Sequence, residues 1–471
     1  MRLRIVRTKA AYLGSYKNFD LNDCLNKKLK TLILDEADLR RPLVISLVIP
    51  TKIDVGRKTR ELELQTLGKM LSECSKLIDQ GYLDEILVID ASMDQNGQPD
   101  YTTLIKVVQT AYQELDLFKK QVRNLRENRA EAMNAKRGDF DFIVRTVHQF
   151  DRNIFHVLEK FNVNKIANLT EMPYGKGTAL WLAVPITEGD ILCFLDSDIM
   201  NFNREFVVSL CEPIVDALKK NRQKYVITKA FYNRVTLTYE FPYGYYTYGG
   251  RVTRIFAIPL LKIFTRKFPK IFCGFDSIKY PLSGEFSAKK GFLENICFPN
   301  DYSIEFSILN QAMRKYSPET IAQIDLELLC HIGQSVKNMS TMIAEITNRM
   351  IKTLENERVK LSKKEKEEII FEYEKETLRV LPTYWKAFKK IQKQMKINKK
   401  IRYSQDMDMH RFRRFYDTFK LSFLGKPTAT QILLPSWAKI NENVNYFAIS
   451  TMLKRRSNQS TYSRLIKANL I

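Results

Sequence analysis

The chain has 471 residues, of which 45% are apolar, and it carries a formal net charge of +23. This length predicts more than one structural unit, and this apolar content is sufficient for a folded protein. No run of 18 apolar residues occurs and the first residues form no apolar segment, so the sequence predicts neither a membrane span nor a signal peptide and favours a cytoplasmic protein.

The positive charge is concentrated at the C-terminal end. Residues 351–471 hold 27 Lys and Arg residues against 12 Asp and Glu residues. A basic region this far along the chain points to a role separate from substrate binding. Seven cysteines are scattered with no CxxC pair, so we expect reduced, buried thiols rather than zinc ligands.

A predicted βαβ unit follows an N-terminal arm of residues 1–40. The apolar run at 43–49 predicts a strand, the periodic apolar residues at 58–77 predict a helix, and the apolar run at 85–90 predicts a second strand. Two strands joined in this way lie parallel. Residues 95–165 are rich in charges, and we interpret them as a mostly helical insertion.

Polar residues follow both predicted strands. Parallel strands end at the same edge of a sheet, where open α/β sheets bind ligands, so these residues can hold a base and a ribose. Plain turn residues are the alternative interpretation. The residues concerned are Pro50, with the polar Thr51 and Asp54, after the first strand and Ser92 after the second.

Two glycines flank a lysine in Gly175-Lys176-Gly177, at the predicted beginning of a helix. Glycine lets the backbone approach a phosphate closely, and the lysine ammonium can then contact it. A Gly-rich turn with a solvated lysine is the alternative. An acidic motif about twenty residues downstream favours the phosphate site.

That acidic motif, Asp196-Ser197-Asp198, directly follows the apolar strand predicted at 191–195. Two aspartates at i and i+2 can bind Mg²⁺, which usually takes its other ligands from phosphates and water. The pattern therefore predicts a metal-diphosphate site and a nucleotide-sugar transferase, with aspartates that merely end a strand as the alternative. The same spacing occurs at Asp139 and Asp141 and at Asp406 and Asp408, which follow no apolar strand.

The second half of the chain changes character beyond residue 235, where tyrosines crowd what we interpret as loops. There Gly249-Gly250-Arg251-Val252-Thr253 precedes an amphipathic helix and can present N–H groups, a guanidinium and a hydroxyl to one anion. A helix start with surface arginines is the alternative. Further on, His331 ends an apolar strand, where both a buried core histidine and a metal ligand stay open.

Together and in this order, these motifs resemble those of the glucosyl-3-phosphoglycerate synthases and the related mannosyl-3-phosphoglycerate synthases, which are retaining, metal-dependent glycosyltransferases of the GT-A fold. The resemblance runs from about residue 43 to residue 350, without the insertion. It rests on residues 175–181, 189–198, 229–232, 249–253 and 282–285.

The resemblance implies an α/β, Rossmann-like GT-A core with an α-helical insertion and a basic α-helical C-terminal extension. The core would comprise residues 41–235, with the insertion at 95–165. Residues 236–350 would bind the acceptor and complete the metal site. The extension would comprise residues 351–471.

The resemblance also implies roles for individual residues. Nucleotide-sugar contacts would come from Pro50, Thr51, Asp54, Ser92, Asp196 and Ser197, diphosphate binding from Lys176, and binding of Mg²⁺ or Mn²⁺ from Asp198 and His331. Tyr302 and Glu305 would hold the donor hexose with Met342 nearby, and Gly250, Arg251 and Thr253 would bind the acceptor's anionic groups.

Two positions depart from the family. Asp54 stands where the family usually has Glu, which shortens the reach to the nucleotide. Gly333 stands where the family commonly has an asparagine near the acceptor, so that contact is lost or Gln334 replaces it.

The reaction implied is transfer of a hexose, with UDP-glucose as the favoured donor, to 3-phosphoglycerate by a homodimer. The metal and Lys176 would stabilise the departing nucleoside diphosphate, and Glu305 would orient the sugar. The alternatives are a mannose donor, another acceptor, or an inert core whose tail binds nucleic acid or a membrane.

The basic tail interleaves aromatic and basic residues at 384–390 and 411–416. Such a pattern can stack on nucleic acid or lie on an anionic membrane. The interpretation that we favour is an amphipathic helical domain that packs on the core or on a second subunit.

Overall fold

The computed structural model describes residues 9–34, 40–115, 117, 141–220, 224–240, 243–333, 336–394, 402–425 and 431–470. The described strands are β1 (Ala11–Ser15), β2 (Leu32–Leu34), β3 (Arg40–Pro42), β4 (Ile45–Thr51), β5 (Glu85–Asp90), β6 (Val144–His148), β7 (Ile191–Phe194), β8 (Ile227–Glu240), β9 (Tyr243–Tyr248), β10 (Phe286–Lys289), β11 (Phe298–Pro299), β12 (Ile321–Ile332) and β13 (Leu433–Leu434).

The described helices are α1 (Leu21–Leu29), α2 (Arg60–Asp79), α3 (Thr102–Gln109), α4 (Arg152–Lys160), α5 (Val163–Ile166), α6 (Lys176–Ile186), α7 (Glu205–Lys219), α8 (Ile258–Lys267), α9 (Lys290–Glu294), α10 (Ile304–Lys315), α11 (Val336–Asn356), α12 (Lys363–Gln394), α13 (Gln405–Leu424), α14 (Trp437–Asn441) and α15 (Tyr446–Lys467). A π-helical segment, Val252–Ala257, leads into α8. None of the described helices has the length and apolarity needed to cross a bilayer.

The chain divides into two compact units. The larger unit is formed by the described residues within Ser15–Lys229, Gly284–Asn300 and Leu433–Ile471. The smaller unit is formed by those within Met1–Gly14, Ala230–Ser283 and Asp301–Ile432.

The sheet of the larger unit has the strand order β8-β10-β7-β4-β5-β6, with β8 represented by its first residues, Ile227 to Lys229. Strands β7, β4, β5 and β6 are parallel, and β10 runs antiparallel to its neighbours. The predicted βαβ unit is therefore confirmed as β4, α2 and β5. Strand β7 lies inside the sheet with both faces covered, which explains its uninterrupted apolar sequence.

Two sequence interpretations need correction. Segment 95–165 contains, besides helices, the strand β6, which pairs with β5 and extends the parallel sheet. The tyrosine-rich region beyond residue 235 is an antiparallel hairpin of β8 and β9 rather than loops, with Val235 opposite Tyr248. In the smaller unit β8 also lies next to β12, which in turn neighbours β1.

The C-terminal residues do not form one separate extension, because they belong to both units. In the smaller unit α13 packs against α11 and α12. In the larger unit α15 packs against β6, α3, α4 and α6. The predicted packing of amphipathic helices on the core is confirmed.

Three of the six rings in the aromatic-basic stretches lie inside the smaller unit, so these three are not available to stack on nucleobases or to enter a bilayer. These buried rings are Phe388, Phe412 and Phe415. The seven cysteines are free thiols, of which five are buried, as expected, while Cys273 and Cys297 are only half-buried.

Candidate functional site

The carboxyl ends of β4, β5, β6 and β7 meet at one edge of the larger unit's sheet, because these strands are parallel. Asp196, Ser197 and Asp198 follow β7 at this edge and are half-buried. This is the place predicted for them. Thr51 ends β4 at the same edge.

Lys176 and Asp196 form an ion pair at this edge, with 2.7 Å between Nζ and Oδ1. The main chain at Gly284 lies directly against the pair. A Cβ at Gly284 would be 2.6 Å from both the Lys176 Nζ and the Asp196 Oδ2. Only glycine therefore fits here without displacing the two charged groups.

The first turn of α6 fixes the position of Lys176. Gly175 precedes the helix with a φ of 131°, a backbone conformation that favours glycine. A Cβ at Gly177 would be only 1.7 Å from the Pro299 carbonyl oxygen, and the Gly177 N–H donates to the Asn300 carbonyl at 2.9 Å. The close backbone approach that these glycines permit is thus to residues 299–300 of the protein itself.

The residues predicted to contact the nucleotide lie together on two adjoining loops. The Ser92 hydroxyl donates to Asp90 Oδ1 at 2.6 Å and accepts the Ile53 N–H at 2.7 Å. The Thr51 hydroxyl donates to the same Asp90 oxygen at 2.6 Å. Asp54 Oδ1 accepts the Met93 N–H at 3.0 Å. These bonds hold the loops after β4 and β5 in a fixed shape, with Pro50 half-buried at the end of β4.

Asp90 and His148 are a pair that the sequence interpretation did not single out. Burial raises the pKa of Asp90 to about 7, against the lowering effect of the Ser92 and Thr51 hydroxyls. Its Oδ2 has no hydrogen-bond partner among the described residues and lies 4.0 Å from His148 Nε2. Burial also lowers the pKa of His148. The three β-branched residues of β6, Val144, Thr146 and Val147, are the available sequence signal for a strand that ends in this histidine.

A second carboxylate lies near Asp198. Burial raises the pKa of Glu63, the negative charge of Asp198 adds to this, and hydrogen bonds from Thr59 and Arg57 oppose it. Glu63 lies in the first turn of α2, in a segment where no functional motif was recognised. It adds negative potential on the side of Asp198.

In the smaller unit His331 lies near the end of β12, as predicted, and is buried. Its Nε2 is 2.6 Å from the Thr236 hydroxyl on β8. Such a bond orients a metal-binding imidazole, and it is equally the bond of a structural histidine. Asp198 belongs to the larger unit, so joint metal binding by Asp198 and His331 stays a prediction.

Tyr302 and Glu305 lie at the beginning of α10, where acidic groups are concentrated. The Tyr302 N–H donates to Glu345 Oε2 at 3.1 Å. Burial raises the pKa of Glu345 to about 7, with the charges of Asp301 and Glu305 adding to the effect. Met342 lies three residues before Glu345 on α11, and therefore on the same side of that helix.

The predicted acceptor residues lie where β9 leads into the π-helical segment. Gly250 has a φ of 63°, and Thr253 is buried. Burial lowers the pKa of Arg251 to about 10, and the charges of Arg411 and other arginines add to this. Gln334 lies outside the described residues.

The structure leaves no room for a side chain at position 333, which is Gly333. A Cβ there would be 2.8 Å from Thr236 Cγ2 and 2.9 Å from the Leu237 carbonyl oxygen, and the Gly333 N–H donates to that carbonyl at 2.8 Å. The asparagine that the family commonly has at this position would therefore require β8 to move.

The described residues contain no group of three or more His, Cys, Asp or Glu side chains placed to hold a metal ion.

Comparison with known proteins gives sequence relatives of one kind. The glucosyl-3-phosphoglycerate synthase of Petrotoga mobilis is 32% identical over 238 residues, which is 46% of this chain and 68% of that protein. The glucosyl-3-phosphoglycerate synthase of Mycobacterium tuberculosis is 30% identical over 187 residues, 39% of this chain and 54% of that protein. No family model matches the sequence.

A crystal structure of the Mycobacterium tuberculosis synthase in complex with Mn²⁺ and UDP-glucose is 21% identical and covers 75% of this chain and 88% of that chain, with a TM-score of 0.49. A second structure of that protein, with Mn²⁺, UDP-glucose and phosphoglyceric acid, has a TM-score of 0.45. With scores below 0.5, these likenesses add no argument to that of the sequence relatives.

Proposed function

The chain belongs to the family of the glucosyl-3-phosphoglycerate synthases and is a glycosyltransferase, and we propose that it transfers glucose from UDP-glucose to 3-phosphoglycerate with retention of configuration. The observation that carries the proposal is the Lys176–Asp196 pair at the carboxyl edge of the parallel strands, under the main chain of Gly284. A lysine built in this way into the ligand-binding edge of an α/β sheet is suited to a diphosphate.

Charge balance at Lys176 explains how the pair would act. Without a donor, Asp196 neutralises the ammonium at 2.7 Å. A bound diphosphate would compete with Asp196 for this ammonium and would gain most from it when the leaving group develops its full negative charge. A fixed positive charge that favours the departing group over the intact donor lowers the barrier rather than only improving binding.

Mg²⁺ or Mn²⁺, when bound, would supply Lewis-acid stabilisation of the same leaving group. Asp198 and His331 are the proposed protein ligands. The role of Asp198 is supported by its position after β7. The role of His331 is supported by the orientation of its ring through Thr236.

Recognition of the hexose would fall to Tyr302 and Glu305. Glu305 is buried and lies within electrostatic reach of Glu345, which gives this surface several oxygen acceptors for sugar hydroxyls. Glu305 would orient the sugar rather than bond to it. The homodimer stays a proposal that light scattering of the purified chain would test.

Gly333 favours a second candidate, in which the acceptor is an anion other than 3-phosphoglycerate. The close approach of Thr236 and Leu237 excludes a side chain at this position, so one family contact to the acceptor is missing. The donor side of the site would be unchanged in this case.

Product analysis tests the proposal. The purified chain is incubated with UDP-glucose or GDP-mannose, 3-phosphoglycerate and Mg²⁺, and the products are identified by mass spectrometry and their anomeric configuration by NMR. We expect glucosyl-3-phosphoglycerate of retained configuration. Product from GDP-mannose alone, or with another anionic acceptor alone, would support the corresponding alternative.

A variant pair tests the metal. Asp198→Ala should lose nearly all turnover while remaining folded, and chelation should abolish the activity of the unmodified chain until Mg²⁺ or Mn²⁺ is restored. Asp406→Ala is the control, because Asp406 has the same i, i+2 spacing but is exposed at the start of α13. Full activity of Asp198→Ala in excess chelator would overturn the metal assignment.

A further inference from the structure

Four arginines of the smaller unit gather around the segment that begins at Gly249; we call them the arginine cluster, and they are Arg234, Arg251, Arg254 and Arg411. Arg254 Nε donates to the Gly249 carbonyl at 2.8 Å, and the Arg234 Cγ would be 3.0 Å from a Cβ at Gly249. Arg254 and Arg411 both contact Asp408, at 2.9 Å and 3.0 Å.

The members of the cluster differ in exposure. Arg254 is buried, with its guanidinium carbon 4.2 Å from the Tyr248 ring centroid, and it forms an internal pair with the buried Asp408. This pair is structural. Arg234, Arg251 and Arg411 are only half-buried, so they can face a bound group.

Most of the charges that act on Arg251 are positive. The positive charges of Arg411, Arg234 and Arg254 act on Arg251, and Asp408 opposes them. Asp408 forms ion pairs with both Arg254 and Arg411. Several guanidinium groups held together out of water repel one another, and a bound anion would offset this repulsion.

A buried hydroxyl points to the same place. Tyr280 is 6% exposed, and its hydroxyl has no hydrogen-bond partner among the described residues. A Cβ at Gly250 would be 2.4 Å from this hydroxyl oxygen, which places the hydroxyl next to the residue that precedes Arg251. A buried hydroxyl left without a partner costs free energy that a ligand oxygen would recover.

We propose that Arg234, Arg251, Arg411 and the Tyr280 hydroxyl form one subsite for a phosphate group, in which Arg411 is a specificity-determining residue supplied by α13. Guanidinium groups and a hydroxyl provide separate hydrogen-bond donors for the several oxygens of a phosphate. A single carboxylate has only two oxygens and cannot accept from all of these donors. Helix α13 lies beyond residue 350, where the family resemblance ends. The identification of this phosphate as that of the acceptor rests on the proposed function.

Binding of inorganic phosphate tests the subsite without assuming the acceptor. Isothermal titration is carried out on the unmodified full chain, on Arg411→Gln and Tyr280→Phe, and on the control Arg414→Gln, which changes an exposed arginine of the same helix. We expect phosphate affinity to fall about 10- to 100-fold in Arg411→Gln and about threefold to tenfold in Tyr280→Phe. Arg414→Gln should change it less than twofold, and UDP affinity should be unchanged in all variants.

Arg411 also contacts Asp408, so a loss of phosphate binding could come from a shifted helix. Tyr280→Phe removes only a hydroxyl and does not touch Asp408. The inference would be overturned if Tyr280→Phe and Arg411→Gln bound phosphate as tightly as Arg414→Gln does. Phosphate binding that depends on Arg411, without transfer to 3-phosphoglycerate, would support the subsite and refute the proposed acceptor.

Discussion

Replacing Trp437 by alanine should destabilise the larger unit strongly. Trp437 is fully buried at the start of α14, and its ring stacks on that of Trp181 with 4.3 Å between centroids and 18° between planes. Its Nε1 donates to the Trp181 carbonyl at 2.9 Å, and the Trp181 Nε1 donates to the Pro435 carbonyl at 2.9 Å. The C-terminal segment is therefore fastened to α6, the helix that begins with Lys176.

The magnitude follows from burial and stacking. Truncating a buried tryptophan to alanine costs about 3–5 kcal/mol. Loss of a stacked aromatic partner adds about 1 kcal/mol. Since the net stability of a folded protein is about 5–15 kcal/mol, Trp437→Ala should remove a large part of it. Trp437→Phe keeps a ring and loses one N–H donor, so we expect it to cost about 1–2 kcal/mol.

Urea unfolding followed by far-UV circular dichroism measures these differences. Phe447→Ala is the matched control, because Phe447 is 74% exposed on the neighbouring α15 and should cost less than about 0.5 kcal/mol. Equal stability of Trp437→Ala and Phe447→Ala would refute the reasoning. Removal of residues 361–471 should prevent stable folding for the same reason, and a folded, active truncation would refute it as well.

The remaining predictions concern a buried acid and a glycine. Because the pKa of Asp90 is raised to about 7, the folded protein keeps this proton while the unfolded chain releases it near pH 4, so the free energy of unfolding falls as pH rises from 4 to 7. Between pH 5 and pH 8 the free energy of unfolding of Asp90→Asn should fall by about 2–3 kcal/mol less than that of the unmodified protein. Urea titrations at these two pH values measure both decreases, and equal decreases would contradict the prediction. Gly284→Ala should separate Lys176 from Asp196 and lower kcat roughly tenfold, about 1.4 kcal/mol, with little change in Tm. Gly291→Ala, with no heavy atom within 4 Å of the added methyl group, is its control, and equal kinetics of both variants would rule out steric action at the pair.

Local sequence was sufficient to predict where Asp196 and Thr51 lie in the fold. The apolar run before Asp196 can only be a buried strand, and parallel pairing then places Asp196 and Thr51 at the same edge of the sheet. The glycines around Lys176 predicted that another group approaches the backbone closely. The sequence could not show that this group is the Pro299 carbonyl, because Pro299 lies more than a hundred residues away along the chain.

Strands with polar or aromatic sequences were harder to predict. Strand β6 contains Arg145 and His148 and lies in the charged segment that we interpreted as mostly helical, but Glu85 pairs with Arg145 inside the protein and Asp90 lies near His148. Strand β9 is almost entirely tyrosine and glycine, and its pairing with β8 was not visible from periodicity. β6 depends on partners far along the chain, whereas β9 depends on pairing with the strand directly before it.

The two acidic residues in the first turn of α13 show how position on a helix separates charges. Asp406 and Asp408 are about 200° apart around the axis, and only Asp408 is buried. A buried carboxylate needs a cation, which Arg254 supplies, and this pair fixes α13 beside Arg251.

The excess positive charge of residues 351–471 therefore has two physically different parts. Exposed lysines and arginines are screened by salt within about 8–10 Å, so they act weakly on any one bound group. Arg411 is 13% exposed in its side chain and is held by Asp408 within electrostatic reach of Arg251. Only a charge held in this way can distinguish one anion from another at short range, which is why Arg411, and not the net charge of the tail, is the residue to test.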